Sequence, residues 1–378
     1  MVLLEPVNAS VLGPPRDVAV LQPRSRAFGA GLDRAAATLA TWLELGDLQP
    51  TGTAWFAQRI TGPETDLVGL LAVIDARATG DDRLLPHEQV FAEPVARRVV
   101  LHRALGIEPR PSLILLPQGS GADLAIPLRT AFGGNEPSLV DPNGLRQSVA
   151  PLPNDVGASM ARAMTGMPAL LADGHHRVAA ALDPMSPARG WTLALIVPPR
   201  QGRVLWPVHR VLRRLAPGIT DPAVHAQRLG FRLTPLPAGS LEIRRAHDLT
   251  PASPPRLITA TGAWEVTGGP RGWQETMADP VRDLPVSLAH ALASALGAGD
   301  RRDSLGTAQT PHDAIAEVAS GAPAALLVGG PDLAQVWRAA ESGVRMPPKA
   351  TWFQPKPLGG FVVRHLDNRH RATPKDQT

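Results

Sequence analysis

One short stretch of the chain has an acid, a glycine, two histidines and an arginine in consecutive positions. These residues are Asp173, Gly174, His175, His176 and Arg177, within the segment LLADGHHRVAAAL. An apolar run, a glycine and a helical pattern predict a strand, a sharp turn and a helix whose first N–H groups attract anions. Arg177 adds a forked donor for phosphate or carboxylate. We therefore predict a functional site at this turn.

The acid and the histidines leave several roles open. Asp173 can orient a histidine, bind Mg²⁺ or accept a proton. His175 and His176 point to different faces of the helix, so one of them is expected to face the site. The plainer alternative is that Asp173 caps the helix and both histidines face solvent.

A His-Glu pair forms a second candidate. His87 and Glu88 follow a loop and precede a helical pattern. Glu88 is suited to be a general base or a metal ligand, and His87 a phosphate contact. The alternative is a glutamate that satisfies backbone N–H groups at a helix start.

Lysine usage gives a third candidate. The chain has three lysines, and two of them, Lys349 and Lys356, lie in the segment MPPKATWFQPK. A lysine is a mobile point charge suited to a transferring phosphoryl group, and Lys349 is the favoured one. The alternative is that both lysines extend over apolar surface. Arg210, in the pair His209-Arg210, is a weaker phosphate candidate that is also consistent with a structural role.

Composition excludes some classes of protein. There is no cysteine, so disulfides, zinc–thiolate sites and cysteine nucleophiles are ruled out, and a cytoplasmic location is favoured. No apolar run is long enough to span a membrane, so no membrane partner is expected. The formal charge is only +4 and the basic residues are scattered. The sequence pI of about 10.4 is therefore a poor argument for nucleic-acid binding as the main role.

Strand and helix patterns alternate with short connections, which predicts an α/β or α+β protein with mixed sheets, flanking helices and two lobes. We expect an irregular N-terminal segment over residues 1–28 and an N-terminal lobe over 29–206. A C-terminal lobe is expected over 207–378, with a disordered tail at 367–378. The stretch VHRVLRRLA after Pro207 is predicted to be a basic helix.

Several segments together resemble the domain of unknown function 1015 family, an uncharacterised prokaryotic family. In chain order they are GLLAVIDARATGDDRLLPHEQVFAEPVARRVVLHRAL, LLADGHHRVAAAL, LWPVHRVL and GVRMPPKATWFQPKPLGGFVVRHL, and the resemblance runs over about residues 40–366. The chain departs from the family pattern at Arg16 and Val178, where tyrosines are usual. The resemblance implies a family, not an activity.

Residues 169–182 are also similar to the phosphate-binding element of the ParB–sulfiredoxin superfamily. That likeness implies nucleotide binding and, in some members, phosphate transfer to a small substrate. The leading hypothesis is an enzyme that binds a nucleotide or phosphorylated small molecule at a site assembled from both lobes. In it Arg177 and the helix N-terminus hold the phosphate, with His175 or His176 assisting. Asp173 and Glu88 act as metal ligand and base, with Mg²⁺ and a nucleotide as the expected cofactors, and Lys349 neutralises developing charge.

Two further hypotheses stay open. One is a metal-dependent hydrolase that uses His175, His176, Asp173 and Glu88. The other is a nucleotide-sensing or nucleic-acid-associated protein without turnover. The sequence does not give the substrate or the oligomeric state.

Overall fold

The computed structural model describes residues 3–12, 28–63, 65–80, 83–119, 124–141, 143–199, 205–237, 249–298 and 304–366. The chain divides into two compact units. The larger unit contains residues 1–86, 90–203 and 355–378, and the smaller unit contains residues 87–89 and 204–354. No helix in the described ranges is both long enough and apolar enough to cross a membrane.

The larger unit is a sheet with helices packed on it. Its strands are β1 (Leu4–Glu5), β2 (Val7–Leu12), β3 (Leu48–Gly62), β4 (Thr65–Asp75), β5 (Leu84–Pro86), β6 (Ile107–Glu108), β7 (Ser112–Leu115), β8 (Ser138–Val140), β9 (Arg146–Leu152), β10 (Ala169–Asp173), β11 (Trp191–Val197) and, near the end of the chain, β20 (Val362–His365). Its helices are α1 (Phe28–Glu44), α2 (Ala92–Leu105), α3 (Ala125–Thr130), α4 (Asn154–Met164) and α5 (His175–Leu182).

The main path of this sheet runs β5-β10-β7-β11-β4-β3-β2-β20-β6, with β1 on β4, and β9 joining β3 to β8. The β5–β10 and β7–β11 pairs are parallel, and the other pairs are antiparallel. The apolar run of β4 is buried from Leu67 to Ile74, as expected for a central strand covered on both faces. One core joins β4 to β7, β10 and β11 through Ile114, Leu171 and Ile196.

The smaller unit contains two antiparallel sheets, one of six strands and one of two strands. Its strands are β12 (Leu205–Trp206), β13 (His209–Leu212), β14 (Arg232–Pro235), β15 (Arg256–Thr259), β16 (Gly262–Gly268), β17 (Leu305–Ala308), β18 (Ala324–Leu327) and β19 (Trp352–Phe353). Six of them pair in the order β14-β16-β15-β18-β13-β17, and β12 pairs with β19. Its helices are α6 (Pro222–Arg228), α7 (Pro285–Ala295), α8 (Pro311–Ala319) and α9 (Leu333–Glu341).

The predicted fold class, mixed sheets with flanking helices, is confirmed. Two local predictions are wrong. The stretch predicted to be a basic helix after Pro207 begins with strand β13, all four residues of which are buried between β17 and β18. Residues 3–12, predicted to be irregular, form β1 and β2. The predicted disordered tail 367–378 lies outside the described residues.

A buried ion pair fixes β20 to the sheet of the larger unit. Arg364 Nη1 lies 2.9 Å from Glu108 Oε2, and both side chains are 2% exposed. Arg364 also donates to the Trp191 carbonyl. The carboxylate accepts two more hydrogen bonds, from the Thr192 hydroxyl at 2.5 Å and the Leu193 N–H at 2.8 Å. Both oxygens of Glu108 are thus paired, as a buried charge requires.

A buried histidine makes the stability of this unit depend on pH. Burial in α2, with Arg364 and Arg98 nearby, lowers the pKa of His102 from its ordinary 6.5, against the opposing effect of Glu108. The unfolded chain then binds a proton more tightly than the folded one, so stability falls as the pH drops below about 6.5. We expect a contribution of at most about 1.4 kcal/mol per pH unit.

Chemical denaturation between pH 5 and pH 7 measures this effect. A His102→Gln variant should show a flatter dependence of the free energy of unfolding on pH. An unchanged slope in the variant would mean that other groups cause the acid sensitivity.

Candidate functional site

The predicted turn between a strand and a helix is present in the larger unit. Strand β10 ends at Asp173, Gly174 adopts φ 108° and ψ 16°, and α5 begins at His175. A Cβ atom on Gly174 would lie 2.4 Å from Ser112 Oγ and 2.8 Å from Arg177 Nη2. The turn therefore needs glycine both for its backbone angles and for the close approach of β7 and Arg177.

Two cations hold the Asp173 carboxylate. Arg177 Nη2 lies 2.5 Å from Oδ2, and Lys356 Nζ lies 2.8 Å from Oδ1. Arg177 Nε also donates to Ser112 Oγ at 3.3 Å. Burial acts to raise the pKa of Asp173, but Arg177 and Lys356 outweigh it and hold that pKa far below its usual range. Asp173 is therefore an anion at neutral pH and a poor proton acceptor there.

Two further arginines lie close to this ion pair without a carboxylate of their own. Burial, followed by the charge of Arg177, lowers the pKa of Arg98 to about 10, and it lowers the pKa of Arg110 as well. Arg110 Nε donates to the Pro357 carbonyl at 3.3 Å. Within the described ranges neither guanidinium pairs with an acid, and the buried Nε of Arg98 has no hydrogen-bond partner.

These side chains form what we call the cation cluster: Arg98, Arg110, Arg177, Lys356 and the single acid Asp173. Its four positive charges exceed the one negative charge of Asp173, and the nearby Glu108 carboxylate is already paired with Arg364. Such an excess in a partly buried place favours an anionic ligand, and guanidinium groups suit phosphate because their N–H donors are arranged as a fork.

The two histidines of the motif have different surroundings. His175 is 4% exposed. The His176 Nε2 atom accepts the Phe91 N–H at 3.2 Å, and its ring stacks on Phe91 at 6.2 Å between centroids. Because Nε2 accepts, the proton of neutral His176 is on Nδ1.

No group of three or more histidine, aspartate or glutamate side chains is placed to hold a metal ion in the part of the chain that the structure describes. Each oxygen of Asp173 already faces a cation. The residues at this turn therefore fit an anion better than Mg²⁺.

His87 and Glu88 belong to the smaller unit, where they contact the predicted lysine segment. The Thr351 hydroxyl donates to Glu88 Oε1 at 2.9 Å and lies 2.9 Å from His87 Nε2. Because a hydroxyl has one proton, His87 Nε2–H is the donor to Thr351. The carbonyl of His87 accepts the Met346 N–H, so this segment fixes both His87 and the Glu88 carboxylate.

Lys349 lies on the lysine segment of the smaller unit, and Arg210 donates to a carbonyl of that segment. Lys349 is exposed and has a φ of 59°, in a turn closed by the Ala350 N–H and the Pro347 carbonyl. A left-handed lysine stores strain of the kind found at functional sites. Arg210 is fully buried and donates to the carbonyls of Val286 and Pro348, so it positions the lysine turn.

The sequence interpretation missed Arg98, Arg110 and Ser112 and ranked Lys356 below Lys349. Arg98 shares the i, i+4, i+7 face of His102 and Leu105, which are buried. That shared face was the available signal. Arg110 lies two residues before Ser112, and no local pattern marked it.

The sequence places this chain in a family. Residues 20–247 match the model of a family described as protein of unknown function DUF1015, and the chain belongs to that family. No curated protein matches the chain significantly.

Several solved structures resemble this one. A free serine kinase variant in complex with ADP is 13% identical, with a TM-score of 0.43. The match covers 75% of this chain and 87% of the kinase chain. A conserved hypothetical protein from Pyrococcus furiosus is 15% identical, with a TM-score of 0.42. The match covers 78% of this chain and 95% of the Pyrococcus chain. SbnI from Staphylococcus aureus, with a C-terminal truncation, is 12% identical, with a TM-score of 0.43. The match covers 80% of this chain and 90% of the SbnI chain. Likenesses this distant say nothing about the chemistry of this chain.

Proposed function

We propose that the larger unit binds the phosphate group of a nucleotide or of a phosphorylated small molecule, and that it serves phosphoryl transfer. The observation that supports this is the cation cluster, in which Arg177 and Lys356 pair with the ionised Asp173 and two further arginines lie within its electrostatic influence. A phosphate bound there would supply the missing negative charge.

Each residue of the turn has a part in this proposal. Arg177, fixed by Asp173 and Ser112 through Nη2 and Nε, offers its remaining Nη N–H groups to the phosphate oxygens. The first turn of α5 adds the positive end of a helix dipole. Lys356 is the more exposed cation, with 37% of its side chain accessible, so it can turn from Asp173 to a ligand. Asp173 holds the two cations rather than moving a proton.

The other predicted roles stay predictions. They are Glu88 as a general base or metal ligand, His87 and Lys349 as phosphate contacts, and His175 or His176 as assisting groups. The likeness of residues 169–182 to the ParB–sulfiredoxin element is also a prediction. No observation favours the metal-dependent hydrolase, which needs a group of convergent ligands.

A thermal-shift experiment tests the proposal. The full-length protein and an Arg177→Ala variant are heated with a panel of nucleotides and sugar phosphates, with and without Mg²⁺. A ligand at 100 times its Kd stabilises the protein by about 2.7 kcal/mol, which is roughly 3–4 °C for a chain of this size. We expect that rise in the wild type and a much smaller one in Arg177→Ala, each relative to its own ligand-free Tm.

An Arg213→Ala variant is the matched control. Arg213 forms an exposed ion pair with Glu317 in the smaller unit, so its loss should leave the ligand response unchanged. If no ligand raises the Tm, or if Arg177→Ala responds like the wild type, the proposal is wrong.

A further inference from the structure

We propose that Arg98 and Arg110 form a second anion subsite beside the Asp173–Arg177 turn, so that the ligand has two linked anionic groups, as a diphosphate does. This subsite presupposes the proposed phosphate binding and narrows its ligand from any phosphate to a diphosphate.

The two subsites differ in how their charge is balanced. At the turn, Arg177 and Lys356 share Asp173, which leaves one positive charge in excess. Neither Arg98 nor Arg110 forms an ion pair with an acid among the described residues, and the Glu108 carboxylate near Arg98 is already paired with Arg364, so two more positive charges remain. A phosphate monoester brings a charge of about −1.5 to −2 at pH 7, too little to balance three cations. A second linked phosphate supplies the remainder.

Contacts place the second subsite next to the first. Arg110 donates to the carbonyl of Pro357, the residue after Lys356. Ser112, two residues further along, accepts from Arg177. Helix α2, which carries Arg98, packs directly against α5, which carries Arg177.

The state of Arg98 is the strongest argument for a missing ligand group. Its Nε atom is buried and has no hydrogen-bond partner among the described residues. A buried guanidinium without an acid is costly, particularly beside two other arginines. Phosphate oxygens at this place would supply both the acceptor and the counter-charge that the protein lacks.

Calorimetric titration of the full-length protein with inorganic phosphate and with pyrophosphate tests the subsite. In the wild type we expect pyrophosphate to bind about 100-fold more tightly, because charge-assisted hydrogen bonds to two further arginines are gained. Arg98→Met and Arg110→Met should each weaken pyrophosphate binding about 10- to 100-fold and change phosphate binding no more than about 3-fold. Arg98→Lys, which keeps the charge, should retain part of the preference.

Arg103→Met is the matched control, because Arg103 lies on the same helix as Arg98 but is exposed. It should leave both affinities unchanged. Arg98→Met should melt no lower than the wild type, since it removes an unpaired buried charge. Its melting temperature therefore serves as the check that the variant folds.

The outcomes separate the subsite from the proposed function. If phosphate and pyrophosphate bind equally well, or if the Arg98 and Arg110 variants weaken both probes to the same extent, the second subsite is wrong while phosphate binding stands. If neither probe binds the wild type, the proposed function itself fails.

Discussion

An Arg364→Met variant will have a free energy of unfolding about 3–5 kcal/mol lower than that of the wild type. The substitution leaves the Glu108 carboxylate buried at 2% exposure without its cation. Hydrogen bonds from Thr192 and Leu193 remain, but they do not neutralise a charge in an apolar surrounding. Urea denaturation at neutral pH measures the loss.

Two controls separate the buried charge from a general loss of an arginine. Arg213→Met breaks an exposed ion pair and should cost less than about 1 kcal/mol. Replacing both Glu108 and Arg364 with leucine should restore much of the stability, because apolar residues can substitute for a buried ion pair. A loss below about 1 kcal/mol in Arg364→Met would show that the pair contributes little.

A Gly174→Ala variant will lose both stability and the response to phosphate. The backbone angles at this position disfavour alanine by about 1 kcal/mol, and the contacts that its Cβ would make with Ser112 and Arg177 add about 1–3 kcal/mol. The neighbouring atoms must move, and Arg177 is among them, so its hold on the ligand should fail. Denaturation and the thermal shift with phosphate measure the two effects.

Gly134 provides a matched control for the backbone. It has a similar φ of 100°, but its Cβ position is open. Gly134→Ala should therefore cost only about 1 kcal/mol and leave the phosphate response intact. If both alanine variants behave alike, the close packing at Gly174 has no importance beyond its backbone angles.

The turn from Asp173 to Arg177 could be predicted because its signal is local. An apolar strand, a glycine and a helical pattern follow one another directly, and the structure has them in that order. The partners of the turn could not be predicted in the same way. Lys356 is 183 residues away from Asp173, and only the folded chain brings its amine to the carboxylate.

The wrong secondary structure at β13 has a physical reason as well. The segment His209–Leu212 has two basic residues followed by two apolar residues, a pattern that also suits one turn of helix. Its position between β17 and β18 buries all four residues, and this tertiary packing outweighs the local preference. Arg98, in contrast, lies on a helix face that His102 and Leu105 already mark, and the fold adds that this helix packs against α5.

The most direct test is a two-dimensional ¹H–¹⁵N spectrum of the arginine Nε–H groups during a titration with inorganic phosphate. Arg177→Lys assigns its resonance by loss, and exposed Arg103 serves as the internal reference. Phosphate binding at the turn predicts a saturable shift of the Arg177 resonance while the Arg103 resonance stays in place. If the Arg177 resonance does not move, or moves only in proportion to that of Arg103, then the cation cluster is not a phosphate site.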